Sequence, residues 1–157
     1  MPRSSAELRG INGHQTEFDE FERRFTMQIK TTVTVTDLTP DDVVNILSCE
    51  RGGFDYWAQT NPWRKQYGDA RKELLDGGAD GPILCYEDVL AQIVLHHDGL
   101  VVVDIEEDRQ HLLTRDKLCR GIEQYINNGG DADPDEWDAI SADCIMQYAI
   151  FGEVMYG

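Results

Sequence analysis

The chain has 157 residues, with 30 acidic side chains against 14 basic ones and a formal net charge of -16. A field of that sign repels nucleic-acid phosphates and anionic membranes, so we expect neither to be a direct partner. No apolar stretch approaches the roughly 18 to 20 residues that span a bilayer, and a chain of this length can bury a core without disulfides.

Residues 1–25 open with many small and polar side chains and then place three phenylalanines among acids and arginines, so we expect residues 1–25 to be a flexible arm and residues 26–157 a single domain. From Met27 to Thr36 apolar and polar side chains alternate, and many are β-branched. That pattern predicts a half-buried strand.

A helix is expected to begin at Thr39, because its hydroxyl can cap the helix while Pro40 and the acids after it suit the first turn. The helix should end near Cys49, before two glycines. The three aromatics of segment 54–57 then predict a strand whose rings cover the sheet.

The middle of the chain shows two helical patterns and one brief apolar run. We expect a short helix over 69–76, a brief strand over 83–85 and a longer helix over 88–97. The runs 100–105 and 110–113 flank an acidic turn and predict a hairpin whose first arm is central in the sheet.

The last part of the chain is predicted to be helical. Thr114 should cap a helix that stops at the glycines after Asn128. An acidic loop over 131–138 precedes a final helix whose apolar stripe includes Ile140 and Ile145, and Gly152 should end it before a docked tail. Together these elements predict an α+β fold, a small, largely antiparallel sheet with helices packed on it.

Catalytic and metal-binding motifs are not evident. Segment 131–137 places carboxylates at three positions of a calcium loop but lacks its glycine and its final glutamate. The pair His96 and His97 points in two directions on a helix, so it does not suit one ion. There is no phosphate-binding glycine loop, nucleophile elbow or HExxH. We therefore expect no cofactor, no metal and no enzymatic activity.

Four cysteines, each in an apolar run, form neither a CxxC pair nor a Cys/His metal spacing. We expect buried free thiols in a reducing cytoplasm. They are Cys49, Cys85, Cys119 and Cys144.

Three segments carry a family resemblance: GGFDYW at 52–57, LTRDKLCRGI at 113–122, and the C-terminal 142–157. Their order and spacing resemble a family of short acidic proteins of unknown function encoded by bacteriophages and prophages, with a GG-x-x-YW segment and a C-terminal ADxIxQYAxFGExxYG segment. The resemblance covers about residues 32–157 and implies expression in the cytoplasm of a bacterial host cell. It implies no activity and no catalytic residues.

Our first functional hypothesis is a non-enzymatic phage accessory protein that inhibits a host protein, because phage genes of this size often encode such inhibitors. Its acidic surface would mimic nucleic acid in the basic groove of a defence protein, such as a CRISPR effector or a restriction enzyme. The acidic face would consist of Glu106, Glu107, Asp108, Asp131, Asp133, Asp135 and Glu136.

Two alternatives stay open. The first is a protein that sequesters a small molecule or nucleotide, with aromatic rings stacked on a base and basic side chains at its phosphates. That cluster would consist of Tyr56, Trp57, Trp63, Arg64 and Lys65. The second is a self-associating protein that uses exposed aromatics.

Overall fold

The structure is a computed structural model that describes residues 33–157, which form one compact unit. The predicted arm over 1–25 and most of the predicted strand over 27–36 lie outside the described residues. Within the described part, five α-helices and a three-stranded antiparallel sheet confirm the α+β fold.

The helices are α1 (Pro40–Leu47), α2 (Arg64–Asp76), α3 (Tyr86–His96), α4 (Arg115–Asn127) and α5 (Ala139–Phe151). The strands are β1 (Ala58–Thr60), β2 (Leu100–Asp104) and β3 (Arg109–Leu113). Between α1 and β1 the chain turns over Glu50–Phe54, where Arg51 and Gly52 depart from helical backbone angles, and 3-10 turns occupy Gly81–Ile83 and Pro134–Glu136.

The sheet has β2 at its centre, as the hairpin pattern predicted. In β1 Ala58 pairs with Asp104, and across the hairpin Leu100 pairs with Leu113. The side chains of β2 are buried except at Val103, which is half-buried. A strand covered on both faces explains the continuous apolar run in this part of the sequence.

Helix ends follow the predicted caps closely. At Thr39 a capping box forms, in which the hydroxyl accepts from the Asp42 N–H and the Asp42 carboxylate accepts from the Thr39 N–H. Thr114 accepts from the Lys117 N–H at the start of α4. Gly152 ends α5 with φ 79°, a left-handed conformation that costs glycine little.

The described part of the predicted strand over 27–36 is not a strand. Residues 33–36 have no regular structure, although Val33 and Val35 are half-buried and the threonines after them are exposed. The N–H of Val33 donates to Asn127 Oδ1 at 3.0 Å, and that of Val35 donates to Glu123 Oε2 at 2.8 Å. The alternation therefore reflects packing beside α4, whose side chains replace a partner strand.

Three further predictions were wrong in their boundaries or type. Segment 54–57 belongs to turns, and the strand begins only at Ala58. Ile83 ends a 3-10 turn, and residues 83–85 form no strand. Helix α2 begins at Arg64, five residues before its predicted start, and Trp63 before it provides no side-chain cap that would mark this start in the sequence.

Phe54 and Trp57 lie completely buried in the core, and the Trp57 ring packs against Phe151 at the end of α5. Helix α5 is buried on more than the predicted stripe, since Met146 and Gln147 are also inaccessible. Ile140, which was expected on that stripe, is instead 74% exposed.

Helices α4 and α5 approach each other at Gly121. A Cβ atom added there would lie 2.6 Å from the Ile145 carbonyl oxygen and 2.8 Å from Ala149 Cβ. Such contacts are too close for real atoms, so the crossing of these helices requires glycine at this position.

The cysteines are all free thiols, but Cys85 is exposed and the other three are half-buried, so the expectation of four buried thiols was wrong. The described helices include none that is long and apolar enough to cross a membrane.

Candidate interaction surface

Asp143, on the second turn of α5, accepts hydrogen bonds from two distant aromatic side chains. The Trp57 indole N–H donates to its Oδ1 at 2.8 Å, and the Tyr56 hydroxyl donates to its Oδ2 at 2.8 Å. The Gln147 amide donates to Oδ1 at 2.9 Å from one turn further along α5. The carboxylate thereby fixes the turn before β1 against the final helix.

Gln147 is completely buried and holds the C-terminal tail. Its Oε1 accepts from the N–H groups of Met155 and Tyr156, at 2.7 and 2.8 Å. Its Nε2 also donates to the Tyr156 carbonyl oxygen at 3.2 Å and to the Tyr56 hydroxyl oxygen at 3.3 Å. Because both ends of the amide are used, the tail is docked by directional bonds as well as by packing.

Asp104 joins this tail to the β2–β3 turn. The carboxylate is 1% exposed and accepts the Tyr156 hydroxyl at 3.0 Å and the N–H groups of Glu106 and Glu107 at 3.0 and 3.2 Å. These donors take the place of water around the buried carboxylate and stabilise its charge. The turn and the tail therefore share one buried anchor.

The two tyrosines of the network have strongly raised pKa values. Desolvation and the hydrogen bond to Asp143 raise the pKa of Tyr56 to about 12. Desolvation, the hydrogen bond to Asp104 and the charges of Glu107 and Glu106 raise the pKa of Tyr156 to about 12. Both hydroxyls are therefore neutral donors at physiological pH.

Large apolar side chains are exposed around this buried network. Tyr56 and Met155, which both contact Gln147, are 43% and 54% exposed. Ile105 is 41% exposed, and its N–H donates to the Trp57 carbonyl oxygen at 2.8 Å. We define the hairpin face as these three residues and the adjacent acids, namely Tyr56, Ile105, Glu106, Glu107, Asp108 and Met155.

The three acids of the hairpin face are all exposed, as the hypothesis of an acidic surface requires. Asp108 has φ 54°, which lets the two strands reverse direction over a tight turn. The two bonds from the turn to Asp104 limit its freedom, so the charges are held on a short, ordered support.

The other four proposed acids lie on the loop between α4 and α5. The Asp131 carboxylate accepts the Asp133 N–H at 2.9 Å, and the Asp133 carboxylate accepts the Asp135 N–H at 3.0 Å. The Trp137 indole N–H donates to the Asp131 carbonyl oxygen at 2.8 Å. We define the acidic loop as Asp131, Asp133, Asp135 and Glu136, all of which are exposed.

The hairpin face and the acidic loop have different surroundings. The hairpin face lies beside the tail, whereas residues 132–137 line a shallow pocket with residues 33–38 and the C-terminal half of α4. The acids are thus carried by two ordered elements, with further carboxylates between them in sequence. After Arg120 the chain contains eight acidic residues and no lysine or arginine.

The proposed aromatic and basic cluster is not assembled as the alternative hypothesis requires. Trp57 is 0% exposed and its N–H is used by Asp143, so its stacking role was wrong. Trp63 is 56% exposed and precedes Arg64 at the start of α2. Lys65 forms an exposed ion pair with Asp69, with Nζ and Oδ2 2.8 Å apart, so its ammonium group already has an anionic partner.

The remaining polar side chains show no assembled metal centre. Within residues 33–157, no group of three or more His, Cys, Asp or Glu side chains could hold a metal ion. His97 contacts Glu73 with Nε2 and Oε1 2.9 Å apart, so the second histidine of the pair binds a carboxylate on α2.

Sequence reasoning missed Asp104, Asp143 and Gln147 as organising residues. The available signal was a polar side chain inside an apolar run, as in LVVVDI and CIMQYAIF. Such a residue must find buried partners, but the sequence does not name them.

Comparisons of the chain with family models, curated proteins and solved structures give no match.

Proposed function

We propose that the protein is a non-enzymatic inhibitor that binds a basic protein through the hairpin face and the acidic loop. The observation that carries the proposal is the arrangement of their seven carboxylates, which are all exposed while the backbones beneath them are tied by hydrogen bonds. Fixed anions lose little conformational freedom when a cationic partner binds them.

The charge balance supports a cationic partner. Residues 33–157 contain 25 of the 30 acids and 9 of the 14 bases, so they account for the whole net charge of -16. Such a field accelerates encounter with basic proteins and repels nucleic acid. Carboxylates spaced over an ordered surface can occupy sites that otherwise hold phosphates.

The hairpin face also supplies apolar contact area. Tyrosine, isoleucine and methionine side chains beside the carboxylates can be buried by a partner, whereas charge alone gives affinity that is strongly screened by salt. The partner surface that fits is therefore basic at its periphery and apolar at its centre.

Following the family resemblance, the partner would be a nucleic-acid-binding defence protein in an infected bacterial cell, and binding would block its substrate groove. Capture from host lysate identifies the candidate, and a competition assay then measures whether nucleic acid displaces the protein from it. Simultaneous binding of both would contradict mimicry.

The electrostatic test compares three variants with the isolated partner. One carries Glu106→Gln, Glu107→Gln and Asp108→Asn, and a second carries the corresponding changes at Asp131, Asp133 and Asp135. A matched control neutralises three exposed acids elsewhere, namely Asp76, Asp98 and Asp116.

We expect either test variant to weaken binding by roughly tenfold or more at low salt and to reduce the salt dependence. The control variant has the same net charge as each test variant, but it should bind the partner nearly as tightly as the natural protein does. Equal losses in all three variants, or binding that ignores salt, would contradict the proposal.

The small-molecule alternative now depends on fewer residues. Its remaining support is that Trp63 is exposed beside Arg64. A thermal-shift screen with nucleotides tests it, since a ligand present at 100 times its Kd stabilises a protein by about 2.7 kcal/mol. Stabilisation that disappears in Trp63→Ala would favour this function over the inhibitor.

A further inference from the structure

An open apolar groove of about 360 Å³ lies between α1, the end of α2 and α3, and its lining shares no residue with the hairpin face. Its floor is built mainly from aliphatic side chains on these three helices, such as Val44, Leu74 and Leu95. Small residues widen it, because Ala79 and Ala91 stand where larger side chains would fill the space.

The groove has an apolar lip. Ile83 lies on the 3-10 turn Gly81–Ile83 and is 72% exposed, although it also lines the groove. A small molecule inside the groove would leave this side chain in water. A longer occupant that runs along the groove and across the turn would cover it.

The charged side chains around the groove are acidic. Asp80 and Asp88 line it, and the lining residues that the structure describes include no lysine or arginine. Asp88 is fixed because its carboxylate accepts the Cys85 N–H at 2.8 Å at the start of α3. Cations beside an apolar stripe would be favoured here, while an acidic segment would be repelled.

We propose that this groove binds an amphipathic helix of a partner protein, with aliphatic side chains on one face and lysine or arginine at its flanks. Apolar side chains at i, i+3 and i+4 of such a helix enter the groove and cover Ile83, and its basic residues meet Asp80 and Asp88. This contact does not depend on the hairpin face or the acidic loop, so it can stand if the proposed function fails.

The probe is a fluorescent 18-residue helix of leucine and lysine with all leucines on one face, and its binding to the full chain is followed by anisotropy. A scrambled peptide of the same composition controls for charge. We expect the helical peptide to bind at least roughly tenfold more tightly than the scrambled one. Equal affinities would overturn the proposal, because attraction by net charge would explain them.

Three variants locate the contact. Ile83→Ser and Ala79→Trp, which remove the lip and fill the groove, should each weaken helix binding by roughly tenfold. Ile140→Ser is the matched control, because Ile140 is 74% exposed on α5, and it should leave binding unchanged. Circular dichroism verifies that each variant is folded.

Other occupants give distinct results, each of which overturns the proposal. If Ile83→Ser lowers the molar mass in sedimentation, the groove binds a second copy of the chain. If decanoate binds and the helical peptide does not, the groove is a lipid or small-molecule pocket. If Ile140→Ser weakens peptide binding as much as Ile83→Ser, the contact lies elsewhere.

Discussion

The indole N–H of Trp57 donates to Asp143 across 86 positions of sequence, with the two atoms 2.8 Å apart. This bond joins two of the three segments that carry the family resemblance, and Gly121 of the third segment lies against α5 a few residues further on. The three segments are therefore joined in the folded protein by a hydrogen bond and by close packing.

Asp143→Ala should destabilise the protein markedly. The change leaves the buried Trp57 N–H without its acceptor and removes a partner of Gln147, and an unpaired buried polar group costs about 1–3 kcal/mol. Urea denaturation measures the free energy of unfolding. Glu153→Ala, an exposed acid of the tail, is the control and should change stability by less than about 0.5 kcal/mol. Equal effects of the two changes would contradict the network.

Gly121→Ala should force α4 and α5 apart. The new methyl group would lie 2.6 Å from a backbone oxygen that cannot move independently, and overpacking of this kind costs about 1–3 kcal/mol. Gly68→Ala, within α2 and with open space around it, provides the matched control. There alanine should stabilise the helix by about 0.5–1 kcal/mol. In thermal unfolding, we expect the midpoint temperature to fall in Gly121→Ala and to rise in Gly68→Ala.

Stability should fall as pH rises from about 10 to about 12. The pKa values of Tyr56 and Tyr156 are raised to about 12 in the folded protein, compared with about 10 in an unfolded chain. Their neutral forms favour folding below the unfolded pKa, and this contribution is lost as pH approaches the folded pKa.

Tyrosinate absorbance and chemical denaturation across this range test the prediction. The double variant Tyr56→Phe, Tyr156→Phe should be less stable at neutral pH and should lose less stability above pH 10. An alkaline decline of the same size in this variant would show that other groups cause it.

Gln147→Leu should release the C-terminal tail while most of the core stays folded. The N–H groups of Met155 and Tyr156 lose their acceptor, so their amide hydrogens should exchange faster with solvent. Hydrogen exchange followed by NMR measures this. Gln124→Leu, which removes a hydrogen bond to the Gly152 carbonyl oxygen, is the control and should leave exchange at those two positions unchanged. Unchanged exchange in Gln147→Leu would show that packing alone holds the tail.

Local signals in the sequence predicted much of this fold. The cap at Thr39, the central strand of the hairpin and the left-handed Gly152 all depend on neighbours within a few residues. Residues 33–36 were predicted wrongly because their alternation is matched by α4, whose side chains lie about 90 positions away. Period-two burial indicates that one side is covered, but it does not tell what covers it.

The exposed charges of the candidate surface could be predicted from the sequence, but the buried residues beneath them could not. The exposure of Glu106 and Asp133 follows from their polarity in turn sequences. That Asp104 is buried and Trp57 is turned inward depends on long-range pairing, which a single sequence does not encode in any local pattern. The ligand role assigned to Trp57 failed for this reason.

The Asp104 carboxylate couples the C-terminal tail to the acidic turn between β2 and β3, because it accepts hydrogen bonds from both. If the terminal segment detaches, Tyr156 withdraws its hydroxyl and the acidic turn loses part of its support. By thermodynamic reciprocity, a partner that binds Glu106 and Glu107 while their N–H groups donate to Asp104 also stabilises the docked conformation of the terminal segment. Protection of the last residues from carboxypeptidase would then serve as a remote reporter of occupancy at the hairpin.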